Sequence, residues 1–322
     1  MWIARCLAAL VAVVVAAAPV LAQDYPAKPI RVIVPTAPGG MADILARYFA
    51  QKFGEKTNQP IIVENKTGAG GVIAADYVAK AAPDGYTLYV GFHATNAILP
   101  TLDPKLPYNA AKDFAPILHI ANLPNVLVVN SKVEAKSVKE LVELARAKPG
   151  ALSYASQGIG SSGHIAGEQF RLLTRTDIVH VPYKGAAPAL QDLIAGRVAM
   201  MFDIVPFALQ HIRDGSVRGL AVAAPQRVPV LPDIPTMAEA GYPGVQGGAW
   251  FALFAPAGTP PAVIDLLNKA GREAFTAPDV RDKLEPRGVV LVLGSPAELG
   301  AWIATDTERW AKVIREAGIK LE

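Results

Sequence analysis

Cysteine is all but missing from this chain of 322 residues, with Cys6 the single instance. Nothing after it can form a disulfide, a thiolate metal centre or a thiol nucleophile. A large excess of one charge sign is missing too. The formal net charge is +3 and the basic residues form no block, so the chain carries no nucleic-acid footprint. Beyond the N-terminus no stretch approaches ~18 uninterrupted apolar residues, the length that would span a bilayer. HExxH, the GxSxG nucleophile elbow and a phosphate-loop lysine are absent. His93, His119, His164, His180 and His211 are scattered without paired ligand spacing, which favours structural hydrogen bonding over metal ligation. No catalytic dyad, metal cluster or cofactor is expected.

What is present is apolar and ordered. A hydrophobic content of 52% against 18% charged residues describes a globular protein with large cores, and the length suits two domains at ~100–200 residues each. Met1 to Ala22 reads as a secretory signal peptide, with Arg5, an apolar run from Leu7 to Ala18 and small residues at Val20 and Ala22 before Gln23. The alternative is an uncleaved anchor. Cys6 stands too early for a lipoprotein cysteine. A soluble, periplasmic protein is expected.

The chain is organised around Arg31-Val-Ile-Val-Pro-Thr-Ala-Pro-Gly-Gly-Met-Ala-Asp43. Arg31–Val34 reads as a buried strand. Pro35, Pro38, Gly39 and Gly40 break it, and from Ala42 the apolar residues Ile44, Leu45, Tyr48, Phe49 and Phe53 take helical spacing. A strand, a glycine loop and a helix N-terminus make an anion seat, because the first amides of the helix have no intrahelical acceptor and its dipole favours negative charge. The plainer alternative is a strand-to-helix turn with Asp43 favouring the helix start.

Further strands are predicted at 60–64 and 87–90. Gly68-Ala-Gly-Gly71 opens a helix between them, and His93-Ala-Thr-Asn96 falls just past the third strand, where open α/β sheets bind ligands. Residues 99–116 read as Pro-rich irregular chain. Strands at 125–130, 153–156, 178–181, 198–202 and 219–223 alternate with helices, one opened by a capping box at Ser137–Glu140. A strand at 249–255, a helix after Pro261, a strand at 289–293 and a helix behind the Ser295–Glu298 capping box close the chain. Trp302 and Trp310 are assigned to the core. This tail is too small for its own core and is expected to return to the first unit. The divisions are 1–22 signal peptide, 23–124 plus 247–322 lobe one, and 125–246 lobe two.

Gly158-Ile-Gly-Ser-Ser-Gly163 spells GxGxxG, but Asp177 precedes the next strand rather than ending it, which argues against a dinucleotide. The physical content that survives is a second helix N-terminus with exposed amides.

Taken together, Val34–Asp43, Gly68–Gly71, Pro83-Asp-Gly-Tyr-Thr87, Leu106-Pro-Tyr108 with Asp113-Phe114, Gly158–Ser161 with His164, His180-Val-Pro-Tyr-Lys-Gly185, Pro232–Thr236 with Glu239–Gly241, and Ala255–Pro260 resemble, in order, the tripartite tricarboxylate transporter substrate-binding proteins, also called the Bug family. The resemblance implies an α/β, two-lobed type II periplasmic-binding fold. It implies a non-enzymatic, monomeric receptor that closes on a small carboxylate and delivers it to membrane permease subunits. It points to Ala37, Gly39, Gly40, Met41 and Asp43 in lobe one, and to Ser156, Gly160, Ser161, His164, Lys184, Gly185 and Asp203 in lobe two. Members often carry a hydroxyl where this chain has Met41-Ala42, and a polar residue where it has Gly163. That difference favours a smaller or partly apolar mono- or dicarboxylate over citrate. Other readings are a receptor that presents ligand to a signalling partner, and an exported enzyme using His164 and Asp203 as acid and base.

Overall fold

The computed structural model describes residues 25–320, so the expected signal peptide lies outside them. β1 (Ile30–Val34) pairs in parallel with β2 (Ile61–Asn65) on one side and β3 (Thr87–Phe92) on the other. α1 (Met41–Thr57) connects β1 to β2, and α2 (Val72–Ala79) connects β2 to β3. Ile33, Val34, Leu88 and Val90 are buried completely. Both faces of the sheet are covered, which is why these strands read as unbroken apolar runs rather than alternations.

After β3, His93 enters a turn of π-helix at Ala94–Ile98 and then α3 (Leu99–Leu102). β4 (Phe114–Asn130) starts eleven residues before the strand expected at Asn125. Pro116, Pro124 and the polar His119 and Asn122 hide it in the sequence. The fold tolerates Pro116 because the pairing with the neighbouring strand shifts register there.

The second set is α4 (Val138–Ala147), β5 (Leu152–Ser156), α5 (Ser162–Thr174), β6 (Ile178–Pro182), α6 (Ala186–Ala195), β7 (Met200–Ile204), α7 (Val205–Arg213) and β8 (Val217–Val222). β9 (Gly248–Pro256) then inserts antiparallel between β3 and β4. α8 (Pro261–Thr276), α9 (Pro278–Leu284), β10 (Val290–Leu291, on β4) and α10 (Pro296–Ala317) finish the chain.

β4 belongs to two sheets. Phe114–Pro124 pairs with β9, whereas Asn125–Asn130 pairs with β7 and β8. The chain recrosses at Gly247, whose carbonyl accepts from Asn125 N at 3.1 Å. A Cβ on Gly248 would meet the Leu123 carbonyl oxygen at 2.5 Å, so the two crossing segments approach too closely for any side chain there. Helices cover each sheet on both sides, giving four apolar clusters. Ile204 from β7 packs into a cluster of the first sheet, and Ile165 from α5 into the other.

Two local expectations change. The Ser137 hydroxyl caps Glu140 N, but Glu140 accepts from Lys136 N rather than from Ser137 N, so only half the box forms; the full box is at Ser295 and Glu298. Trp310 is fully buried, whereas Trp302 is 38% exposed and lays its ring beside His119.

Candidate functional site

Five helices begin on one cavity of about 510 Å³ between the two sheets. The first-sheet side supplies Pro35, Thr36, Ala37, Gly40 and Met41 at the start of α1, Gly68, Gly70 and Gly71 at the start of α2, and Phe92, His93 and Ala94 past β3. The second-sheet side supplies Gln157, Ile159, Gly160, Ser161 and Ser162 at the start of α5, Lys184, Gly185 and Ala186 at the start of α6, and Asp203 and Ile204 running into α7.

Gly40, Gly71 and Gly185 are N-cap residues with no side chain to cap their helices, and Ile204 before α7 makes no cap bond either. α4 and α10, which start away from the cavity, open on capping serines. Uncapped first-turn amides retain their donors, and at the cavity those donors and the helix dipoles converge on one space. α5 is the exception, since Ser161 Oγ accepts from His164 N at 3.2 Å.

The floor is apolar. Phe92 and Phe251 stack 6.1 Å apart at 12°, with Met41, Leu99, Ile159 and Phe207 around them. Lys184 is the sole lysine or arginine on the lining. His93 is buried, which pushes its imidazole down to about 4 and keeps it neutral.

Of the residues singled out from the sequence, Ala37, Gly40, Met41, Gly160, Ser161, Lys184, Gly185 and Asp203 line this cavity. Asp43, Ser156 and His164 are buried behind the lining and hold it in shape, whereas Gly39 is exposed and does not line the cavity. Asp43 Oδ2 accepts from Gly39 N at 3.0 Å and Arg47 Nε at 2.9 Å, and Oδ1 from Asn65 Nδ2 at 2.9 Å. Burial opposes ionisation of Asp43, but the Arg47 guanidinium, the Gly39 amide and the Asn65 amide hold it below the usual carboxylate range. Ser156 Oγ accepts from Gly158 N at 3.2 Å and bonds His180 Nε2 at 2.7 Å. His164 Nδ1 accepts from Gly160 N at 3.2 Å, and its ring stacks on His180 at 4.2 Å. That role requires a neutral imidazole, and burial followed by the field of His180 pushes His164 down to about 4.

Asp203, expected just beyond its strand, lies inside β7 with no exposed surface. Gly163, read as a lining position, instead faces β7, where a Cβ would meet the Phe202 carbonyl oxygen at 2.4 Å. It therefore says nothing about the polarity of the cavity.

Sequence reasoning missed Thr36, Phe92, Phe207 and Phe251. Thr36 sat inside the quoted motif, and Phe92 next to the segment flagged past β3. Phe251 gave no local signal, because β9 reaches the site through a late antiparallel insertion. A larger depression of about 870 Å³ lies against α10, but its charged lining residues are Asp103, Asp113 and Glu308, which repel an anion.

The family described as Tripartite tricarboxylate transporter family receptor matches residues 45–319. Protein BugT of Bordetella pertussis is 41% identical over 307 residues, covering 95% of this chain and 94% of that one. A structure of an R. palustris protein with adipate is similar at a TM-score of 0.85 and 37% identity, covering 92% of this chain and 99% of that one. MatC from Rhodopseudomonas palustris with bound malate is similar at 0.81 and 37%, covering 90% and 100%. The chain belongs to this family of tripartite tricarboxylate transporter receptors, the Bug proteins. It has the two-lobed type II periplasmic-binding fold and is a solute-binding receptor, not an enzyme.

Proposed function

We propose that this receptor captures a small mono- or dicarboxylate with an apolar midsection in the periplasm and delivers it to a tripartite tricarboxylate-type membrane transporter. The observation that carries the reading is the convergence of five helix N-termini on one apolar-floored cavity. Oriented amides and dipoles bind carboxylates without a buried arginine. The adipate and malate bound to two similar proteins match that chemistry.

In this reading Ala37, Gly40 and Met41 receive one end of the ligand, and Gly160, Ser161, Lys184 and Gly185 the other. Gly39, Asp43, Ser156 and His164 keep the two loops in position, and Asp203 meets the ligand from β7. Residues 23–124 plus 247–322 form one lobe and 125–246 the other. The change of partners between Pro124 and Asn125 in β4, and the recrossing at Gly247, support that division. Among the described residues no helix is long and apolar enough to cross a membrane.

The test is a thermal-shift screen of the purified protein against C4–C6 mono- and dicarboxylates, tricarboxylates and nucleotides. A ligand at a hundred times its Kd adds about 2.7 kcal/mol to stability. A shift with dicarboxylates is expected, and Gly40→Leu should abolish it, because a Cβ there meets Thr36 Oγ1 at 2.9 Å and distorts the loop. A shift with nucleotides alone would overturn the reading.

A further inference from the structure

β7 places an acid in the wall of a cavity built for anions. Asp203 Oδ1 accepts from Gln157 Nε2 and from Ile204 N, both at 2.9 Å. Its Oδ2 is buried and makes no hydrogen bond among the described residues. Asp203 forms no ion pair among the described residues.

The groups around it supply no compensating charge. The second half of β4, which pairs with β7 and sets Val126 opposite Asp203, has no titratable side chain. β5 contributes only Tyr154. On α5 the titratable groups are His164, pushed to neutrality, and Glu168, paired with Arg171. On α7 they are His211 and Arg213 in the last turn. α6 carries Asp192, which is paired with Arg197 and accepts from Tyr183 OH; across the cavity His93 is neutral, and Lys184 is exposed just before α6. Burial, opposed by the Gln157 and Ile204 hydrogen bonds, pushes Asp203 up to about 7. Two carboxylates sharing a dry site repel unless one of them holds a proton.

We propose that Asp203 meets the ligand as a neutral acid, its Oδ2–H donating to a ligand carboxylate oxygen, so that each carboxylate binds together with one proton. This inference rests on the carboxylate reading above. No bond to carbon is made or broken. The proton comes from solvent on binding and returns to solvent on release. A receptor of this design holds its ligand more tightly in an acidified compartment and releases it more readily as pH rises.

Calorimetry of adipate and malate binding to the purified wild-type protein tests it. Titrations run from about pH 6 to pH 8.5, where the ligand carboxylates are ionised, in paired buffers of different ionisation enthalpy. Above the pKa of Asp203 the expected result is uptake approaching one proton per ligand, with Kd rising toward tenfold per pH unit. Asp203→Asn places an N–H donor where Oδ2–H stood, and its Kd should be flat with pH, with no proton uptake. Binding by the wild type with no proton change, or with proton release, overturns the inference while leaving the carboxylate reading intact. Failure of every carboxylate in the screen at every pH overturns both. The wild-type proton count needs no variant, so a misfolded Asp203→Asn does not obscure the answer.

Discussion

His164 shows how a single protonation state supports the site. Its Nδ1 must be free of a proton to accept from Gly160 N. With the folded pKa down to about 4 against about 6.5 unfolded, the unfolded chain takes up a proton first as pH falls. The stability this neutral imidazole contributes is therefore complete above about pH 6.5 and lost as pH falls toward 4, and His93 adds the same slope. His164→Asn keeps an acceptor oxygen near Nδ1 without titrating. Melting temperatures between about pH 6.5 and pH 4 are expected to fall less steeply in this variant than in the wild type. At this scale the resemblance singled out His164 beside Gly158–Ser161, but not its ring partner. His180 comes from the next strand, and only the parallel pairing of β5 with β6 sets the two rings face to face.

Among the elements, the helices divide by how they begin. α5 and α10 both start on a serine whose hydroxyl accepts from the amide three residues on, and losing such a cap costs about 1 kcal/mol. Ser161 also lines the cavity, whereas Ser295 does not. Ser161→Ala and Ser295→Ala are expected to lower stability by similar amounts in urea unfolding. Only Ser161→Ala should weaken carboxylate binding, by roughly tenfold for a lost hydrogen bond to an anion. Equal affinities for the two variants would remove Ser161 from the site. α5 was expected to start on exposed amides and is instead capped by Ser161, whereas the Ser295 cap was legible because capping chemistry is local. β4 was not, since its seventeen residues combine prolines, polar residues and two sets of partners, and no single periodicity describes it.

For the whole molecule the decisive feature is the junction of the two sheets. Trp250, two residues past the Gly248 crossing, donates its indole N–H to Asp306 Oδ2 at 2.6 Å, and Trp310 donates to the same oxygen at 2.7 Å. Arg309 completes the carboxylate's partners through Oδ1. Asp306 on α10 thus ties the C-terminal helix to the strand that leads out of the crossing. Removing it strands two buried indole donors, so Asp306→Ala is expected to cost about 2–5 kcal/mol in denaturant unfolding. It should also red-shift tryptophan emission. An unchanged unfolding midpoint would mean that this network does not hold the junction.

The sequence by itself determined the parallel β/α alternation and the glycine-opened helix starts at Gly40 and Gly71. Each of these depends on residues close together in the chain, where turn geometry, capping and apolar period act directly. The tertiary structure alone decided which loops share a cavity. It brought Phe251 to the floor through the antiparallel insertion of β9, placed Asp43 and His164 behind the wall, and left Oδ2 of Asp203 buried without a hydrogen-bond partner among the described residues. Those placements depend on burial and on partners from other elements, from Asn65 for Asp43 to Phe92 for Phe251, for which no short stretch of chain carries a signature.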